Sequence, residues 1–182
     1  MKRPFASLSR SGRRRAIGGL VAAQVVELKL LLDLERRMRR TGGPGIIPFE
    51  LAGSAERAQQ IMDTWGDEGR AAATRSLLLD YPYPATYAPF YALVCTAVAD
   101  GLESRGSHAL ASVGDLVAWG QFAAAMFDYV ENTTLLLILA GRDGGLPGLA
   151  RRAALTKFAL SLTGLGYVLL GLGLVARDRW RR

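Results

Sequence analysis

The 182-residue chain is half apolar and 21% charged, carries a formal net charge of +7, and holds one cysteine, Cys95, and one histidine, His108. A mean hydropathy of +0.15 excludes a disordered tail, which needs low hydrophobicity, and a lone cysteine excludes a disulfide scaffold. One Cys and one His leave no set of ligands for a structural zinc, no Cys/His catalytic pair and no bis-His haem, so no metal and no resident cofactor is expected.

The apolar residues fall in blocks. The first, residues 16–34, reads AIGGLVAAQVVELKLLLDL, with Gln24, Glu27, Lys29 and Asp33 in its second half and arginines on both sides. A basic start followed by an apolar run also fits a signal peptide or an interfacial helix. The run continues as a leucine-rich charged helix without a small-residue cleavage site. Lys29 and Asp33, four apart, can pair and lower the cost of spanning a bilayer.

A turn-rich linker follows, with Gly42, Gly43, Pro44, Gly45 and Pro48. Ser54 is placed to cap a helix in which Ala58, Ile61, Met62 and Trp65 recur on one face. Gly66 and Gly69 should end or bend it. Segment 46–75 is thus expected to form an extramembrane amphipathic surface helix, which lies on the bilayer or packs on its own bundle.

The second block, residues 77–99, carries Asp80 as its only charge and Pro82, Pro84 and Pro89 within it, which predicts a kink or a broken turn near Tyr81 to Pro84. Its tyrosines and Phe90 (Tyr81, Tyr83, Tyr87, Phe90, Tyr91) could line a pocket for a lipid, quinone or pigment, or form an interface belt. The third block, residues 116–140, has Asp128, Glu131 and Asn132 near its middle. Offsets of three and four place these on one helical face, with Gln121 on the same stripe. Carboxylates in mid-membrane need a partner or a watery cavity. Asp80, Gln121, Asp128, Glu131 and Asn132 are therefore the candidate ligand or proton site. The alternative is a structural network in which the carboxylates hydrogen-bond other helices and fix the bundle's register, with Lys29, Asp80 and Tyr81 as candidate partners.

The last block, residues 153–176, has one charge, Lys157, near its start. At ~1.5 Å per residue it reaches about 36 Å, enough to cross a ~30 Å hydrocarbon core. Arg151 and Arg152 precede it, and Arg177, Arg179, Trp180, Arg181 and Arg182 follow, an anchor pattern at an interface. Gly164, Tyr167 and Gly171 share a face suited to close helix packing. Arginines at block ends suit anionic head groups, and nothing interleaves them with stacking aromatics for nucleic acid.

These blocks predict an all-α integral membrane bundle of four transmembrane helices, a single membrane domain over residues 1–182. The alternative count is three, because four spans put nearly equal numbers of Lys and Arg on the two sides and remove the usual orientation bias. The stretch IPFELAGSAERAQQIMDTWGDEGRAAATRSLLLDYPYPATY, with DYVENTTLLLIL further on, resembles a family of small bacterial four-helix integral membrane proteins with no assigned activity. That resemblance runs from Ile46 to Ala140 and implies that Trp65, Asp80, Asp128, Glu131 and Asn132 belong to a shared motif. It brings no reaction with it. The functional expectation is a non-catalytic protein of the inner membrane. It would be an accessory subunit that meets other subunits or itself, or a binder of a lipophilic ligand. The rival is an enzyme or proton-coupled carrier using the buried acids.

Overall fold

Ser9 starts the first helix: its side chain accepts a hydrogen bond from the Gly12 amide at 3.1 Å, satisfying one of the free donors of the first turn. In the computed structural model, which describes residues 2–142 and 144–180, this helix, α1 (Arg10–Arg40), is followed by α2 (Ile46–Glu50), α3 (Ala55–Asp80), α4 (Tyr83–Glu103), α5 (His108–Leu139) and α6 (Leu146–Trp180). No strand occurs among the described residues. Arg181 and Arg182 of the C-terminal anchor lie outside the described residues, as do the side chains of Arg179 and Trp180.

Helix α1 overruns the apolar block at both ends, and Arg37, Arg39 and Arg40 in its last turn complement the negative end of the helix dipole. Only Leu34 and Met38 are buried; Val21, Val25, Val26, Leu28, Leu30 and Leu32 are exposed. Asp33 pairs with Arg36 at 2.7 Å rather than with Lys29, because the guanidinium one turn further on reaches it.

Of the two placements expected for the amphipathic helix, packing on its own bundle is the one observed. Ser54 does cap α3, accepting from the Arg57 amide at 3.2 Å, but the helix runs on past Trp65 to Asp80. Gly66 takes φ 56, a left-handed conformation that costs glycine little, and bends the helix without ending it. Ala58, Ile61, Met62 and Trp65 are buried with Phe49, Leu135, Ile138 and Ala150, so the amphipathic face closes one end of the bundle instead of facing lipid. The reason is covalent proximity: α2 and the linker fold Phe49 against Trp65, with ring centroids 5.0 Å apart, and give the indole N–H the Pro44 carbonyl at 2.6 Å.

The predicted break near the prolines falls at Tyr81 and Pro82, so block 77–99 is divided between the end of α3 and the start of α4. Helices α5 and α6 pack along each other and, with α4, make the most extensive contacts in the fold. Residues His108–Leu139 and Leu146–Leu174 are long and apolar enough to cross a membrane; no other helix among the described residues is. The four-span reading thus rests on composition in two helices only. Charges in the middle of α1, and the tyrosines and prolines that open α4, dilute the other two.

The face of α6 carrying Gly164, Tyr167 and Gly171 packs within the chain. A Cβ at Gly171 would stand 2.2 Å from Val98 Cγ1, and one at Gly164 would stand 2.5 Å from Gln121 Nε2. The buried Tyr167 hydroxyl donates to the Leu110 carbonyl at 3.2 Å. Gly171→Ala should therefore cost about 1–3 kcal/mol by overpacking. Gly173→Ala, where a Cβ meets nothing within 4 Å, should be neutral or gain up to about 1 kcal/mol of helix propensity. The melting temperatures of the two variants under identical conditions check the contrast.

The opposite end of the bundle is closed by the N-terminal arm. Trp119 Nε1 donates to the Lys2 carbonyl at 2.9 Å and Thr96 Oγ1 to the Pro4 carbonyl at 3.1 Å. Arg3 reaches Asp115 at 2.6 Å, Glu103 at 2.7 Å and Asp100 at 2.5 Å, and Arg13 also bonds Asp100. Burial acts upward on the Asp100 carboxyl and is outweighed by the hydrogen bonds from Arg13 and Arg3, which hold it below the usual carboxylate range. A lowered folded value means that this contribution is complete above the ordinary value of 3.8 and is lost as the pH falls through the folded one. The arm should stay docked at neutral pH and release in strong acid, read as a change in Trp119 fluorescence. Arg3→Ala should produce the same change at neutral pH.

Candidate functional site

Asp128, Glu131 and Asn132 are buried on the side of α5 that meets its neighbours, with relative exposures of 3%, 0% and 1%. Spacing alone put them on one face. What they meet was not legible. Lys157, from the second turn of the last apolar block, places Nζ 3.2 Å from Asp128 Oδ1 and 2.7 Å from Glu131 Oε2. It also lies 4.9 Å from the centroid of its neighbour Phe158. The expectation that Lys29 supplies this cation is corrected: Lys29 is exposed on α1. Its stem leaves the helix on the outside, whereas Lys157 is carried inward by the α5–α6 contact.

Asn132 Nδ2 donates to Asp80 Oδ2 at 2.7 Å, which ties α5 to the last residue of α3. Tyr81 is turned away, its hydroxyl against Thr133 Oγ1 at 2.7 Å and its ring 6.0 Å from Tyr129. Gln121 is buried but stands apart from the acids: its amide donates to the Leu160 carbonyl at 3.1 Å and the Val117 carbonyl at 3.2 Å, filling the contact opposite Gly164. Seven residues along a helix is about 10 Å, which is enough to separate it from Asp128.

Sequence reasoning missed one carboxylate altogether. Glu50, in the short helix α2, is 7% exposed and faces Glu131, and its Oε2 has no hydrogen-bond partner. Burial pushes its carboxyl above the ordinary range, against the attraction of Lys157. The only sequence signal was an acid set inside the apolar run IIPFELA, read there as part of a linker.

These groups border a cavity of about 430 Å³. Glu35, Glu50, Asp80, Asp128, Asn132 and Lys157 supply polar lining, and Leu31, Ile46, Ile47, Leu77 and Phe158 supply apolar lining. Tyr83, Tyr87 and Tyr91, spaced one turn apart on α4, complete the wall. The Tyr83 and Tyr87 rings stand 5.4 Å apart, and the Tyr87 hydroxyl lies beside Asp128 without completing a hydrogen bond. Tyr81 and Phe90 do not line the cavity. Among the described residues no group of three or more His, Cys, Asp or Glu side chains is arranged to hold a metal ion.

The arrangement can do two things chemically. It joins α2, α3, α5 and α6 through charge, and it presents unsatisfied acceptors to a space large enough for a small molecule; ligand cavities run from about 300 to 1,000 Å³. The fold and site define a class: an all-α bundle built round a buried acid–lysine cluster that opens onto an amphipathic cavity. No known protein family, characterised protein or solved structure is significantly similar to the chain.

Proposed function

We propose that the chain is a small integral membrane protein that binds a lipophilic ligand, without catalysing a reaction on it, in the cavity lined by residues of all six helices. The observation that carries this reading is the cavity itself, about 430 Å³, whose wall combines aliphatic and aromatic side chains with polar and charged groups. A lipid, quinone or other amphipathic molecule matches that mixed lining.

The membrane setting is supported by α5 and α6, each long and apolar enough to span. It is supported too by the large apolar side chains that the fold leaves bare on three helices, among them Val25 at 62%, Leu116 at 68%, Met126 at 63% and Leu162 at 64% exposure. Soluble chains seldom expose so many together. Lipid tails, a second copy or another membrane subunit would cover them, and the arginines at the block ends suit anionic head groups of an inner membrane. In this reading α1 and the α3–α4 pair complete a four-span bundle of the kind the sequence resembles.

Native mass spectrometry of the chain extracted into mild detergent tests the proposal. The expected result is a bound small molecule, lost in Ser161→Trp, where a large ring replaces a side chain lining the cavity. A Ser161→Trp protein that keeps the adduct would overturn the assignment of the ligand to this cavity. A second reading, a proton-coupled carrier, is favoured by one observation, the Glu50 oxygen left unpartnered beside Glu131. It predicts proton uptake coupled to solute movement in vesicles.

A further inference from the structure

Resting on that ligand-binding reading, we propose that the cavity selects a cation, an organic ammonium with an apolar body, over a neutral or anionic amphiphile. The charge distribution points this way. Glu50, Asp80 and Asp128 bring three carboxyl groups to the cavity wall, with Glu131 beside them, against a single lining ammonium, that of Lys157; the other lining carboxylate, Glu35, is paired with Arg39 at 2.7 Å. Lys157 is committed to Asp128 and Glu131, at 3.2 and 2.7 Å. Among the described residues no cation lies within ion-pair distance of Glu50 or Asp80. Asp80 has only the Asn132 amide, and Glu50 Oε2, in a residue more than nine-tenths buried, has no partner at all.

The backbone adds to the same sign. Asp80 is the last residue of α3, where the carbonyl ends of the helix concentrate partial negative charge. The carbonyls of Leu78 and Asp80 would take their helical donors from residues 82 and 84, and both are prolines with no N–H to give. Broken helices in membrane proteins present such ends to cations. Tyr83, Tyr87 and Tyr91 also line the cavity, and aromatic rings attract an ammonium as they would not a carboxylate. A bare metal ion is disfavoured because the acids do not converge as a ligand group. The apolar remainder of the wall instead asks for a hydrocarbon body of several carbons.

Matched probes separate this inference from the reading beneath it. 4-Phenylbutylammonium, 4-phenylbutanol and 4-phenylbutyrate share one body and differ in head-group charge. Each is equilibrated at pH 7 with the full chain in lipid nanodiscs, with empty nanodiscs subtracted. The ammonium should bind at least about tenfold more tightly than the alcohol, and the carboxylate most weakly. Asp80→Asn and Glu50→Gln, which keep shape and replace the acid by an amide, should each weaken the ammonium about tenfold and leave the alcohol unchanged. Equal binding of ammonium and alcohol, or unchanged ammonium binding in both variants, overturns the cation inference and leaves the ligand cavity standing. Absence of saturable binding by all three probes overturns both. If Glu50→Gln does not fold, Asp80→Asn carries the test alone.

Discussion

Lys157→Met is expected to destabilise the protein by about 3–5 kcal/mol, among the largest losses that a single substitution can cause here. Methionine keeps the length and much of the volume of lysine, so packing is disturbed little and the loss is electrostatic. Removing the ammonium leaves Asp128 and Glu131, 3% and 0% exposed, without the cation that sits between them. A buried charge without its partner costs more than the pair contributes when intact. The triple variant Lys157→Met, Asp128→Asn, Glu131→Gln should therefore recover most of the loss, because amides can be buried at lower cost than charges. Unfolding of wild type, Lys157→Met, the Asp128→Asn, Glu131→Gln double variant and the triple variant under the same conditions, read as a mutant cycle, checks this. A Lys157→Met variant within about 1 kcal/mol of wild type would mean that the three side chains do not form the cluster described.

Trp65→Ala should lose about 3–5 kcal/mol through a different cause, the emptying of a packed site. The indole is 1% exposed, packs at a tilt against the Phe49 ring and donates to the Pro44 carbonyl. Its neighbours are shaped to it: a Cβ at Gly43 would come within 2.5 Å of the Trp65 ring, and one at Gly69 within 2.5 Å of Trp65 Cβ. Without the ring, α2 and the 41–54 linker lose the residue they fold against, and cleavage of that linker by protease should accelerate. Trp65→Phe should restore the apolar part and forfeit about 1 kcal/mol for the lost hydrogen bond. Because α2 carries Glu50 into the cavity, Trp65→Ala should also reduce the preference for a cationic probe. This is an effect at a distance that Gly171→Ala should not share.

The two variants differ in what the sequence announced. The Trp65 face could be read directly: Ala58, Ile61, Met62 and Trp65 recur at helical spacing after a capping serine, and all are buried. Its destination could not, since an apolar stripe on a helix suits a bilayer surface and a protein core equally well. With the cluster the position was reversed. Asp128, Glu131 and Asn132 announced a buried face because their spacing is local, set by 3.6 residues per turn. Lys157, 26 residues after Glu131 on another helix, carries no local mark of its role. Lys29 looked as good a partner by charge alone, and the exposed outer side of α1 decided against it. Glu50 sits in a five-residue helix inside a turn-rich linker, too short for any periodicity to expose.

By itself the sequence determined an all-helical chain, the break at Tyr81 and Pro82, the shared face of the α5 acids, and the apolar length of α5 and α6. Each of these follows from interactions within about one helical turn or from composition summed along one helix. Only the tertiary structure decided that α3 caps the bundle, that Gln121 belongs to the glycine contact and not to the acids, and that Glu50 and Lys157 complete the cluster around the cavity. Those outcomes depend on which side chains residues far apart in the chain present to each other, and the spacing within one helix holds no record of its neighbours.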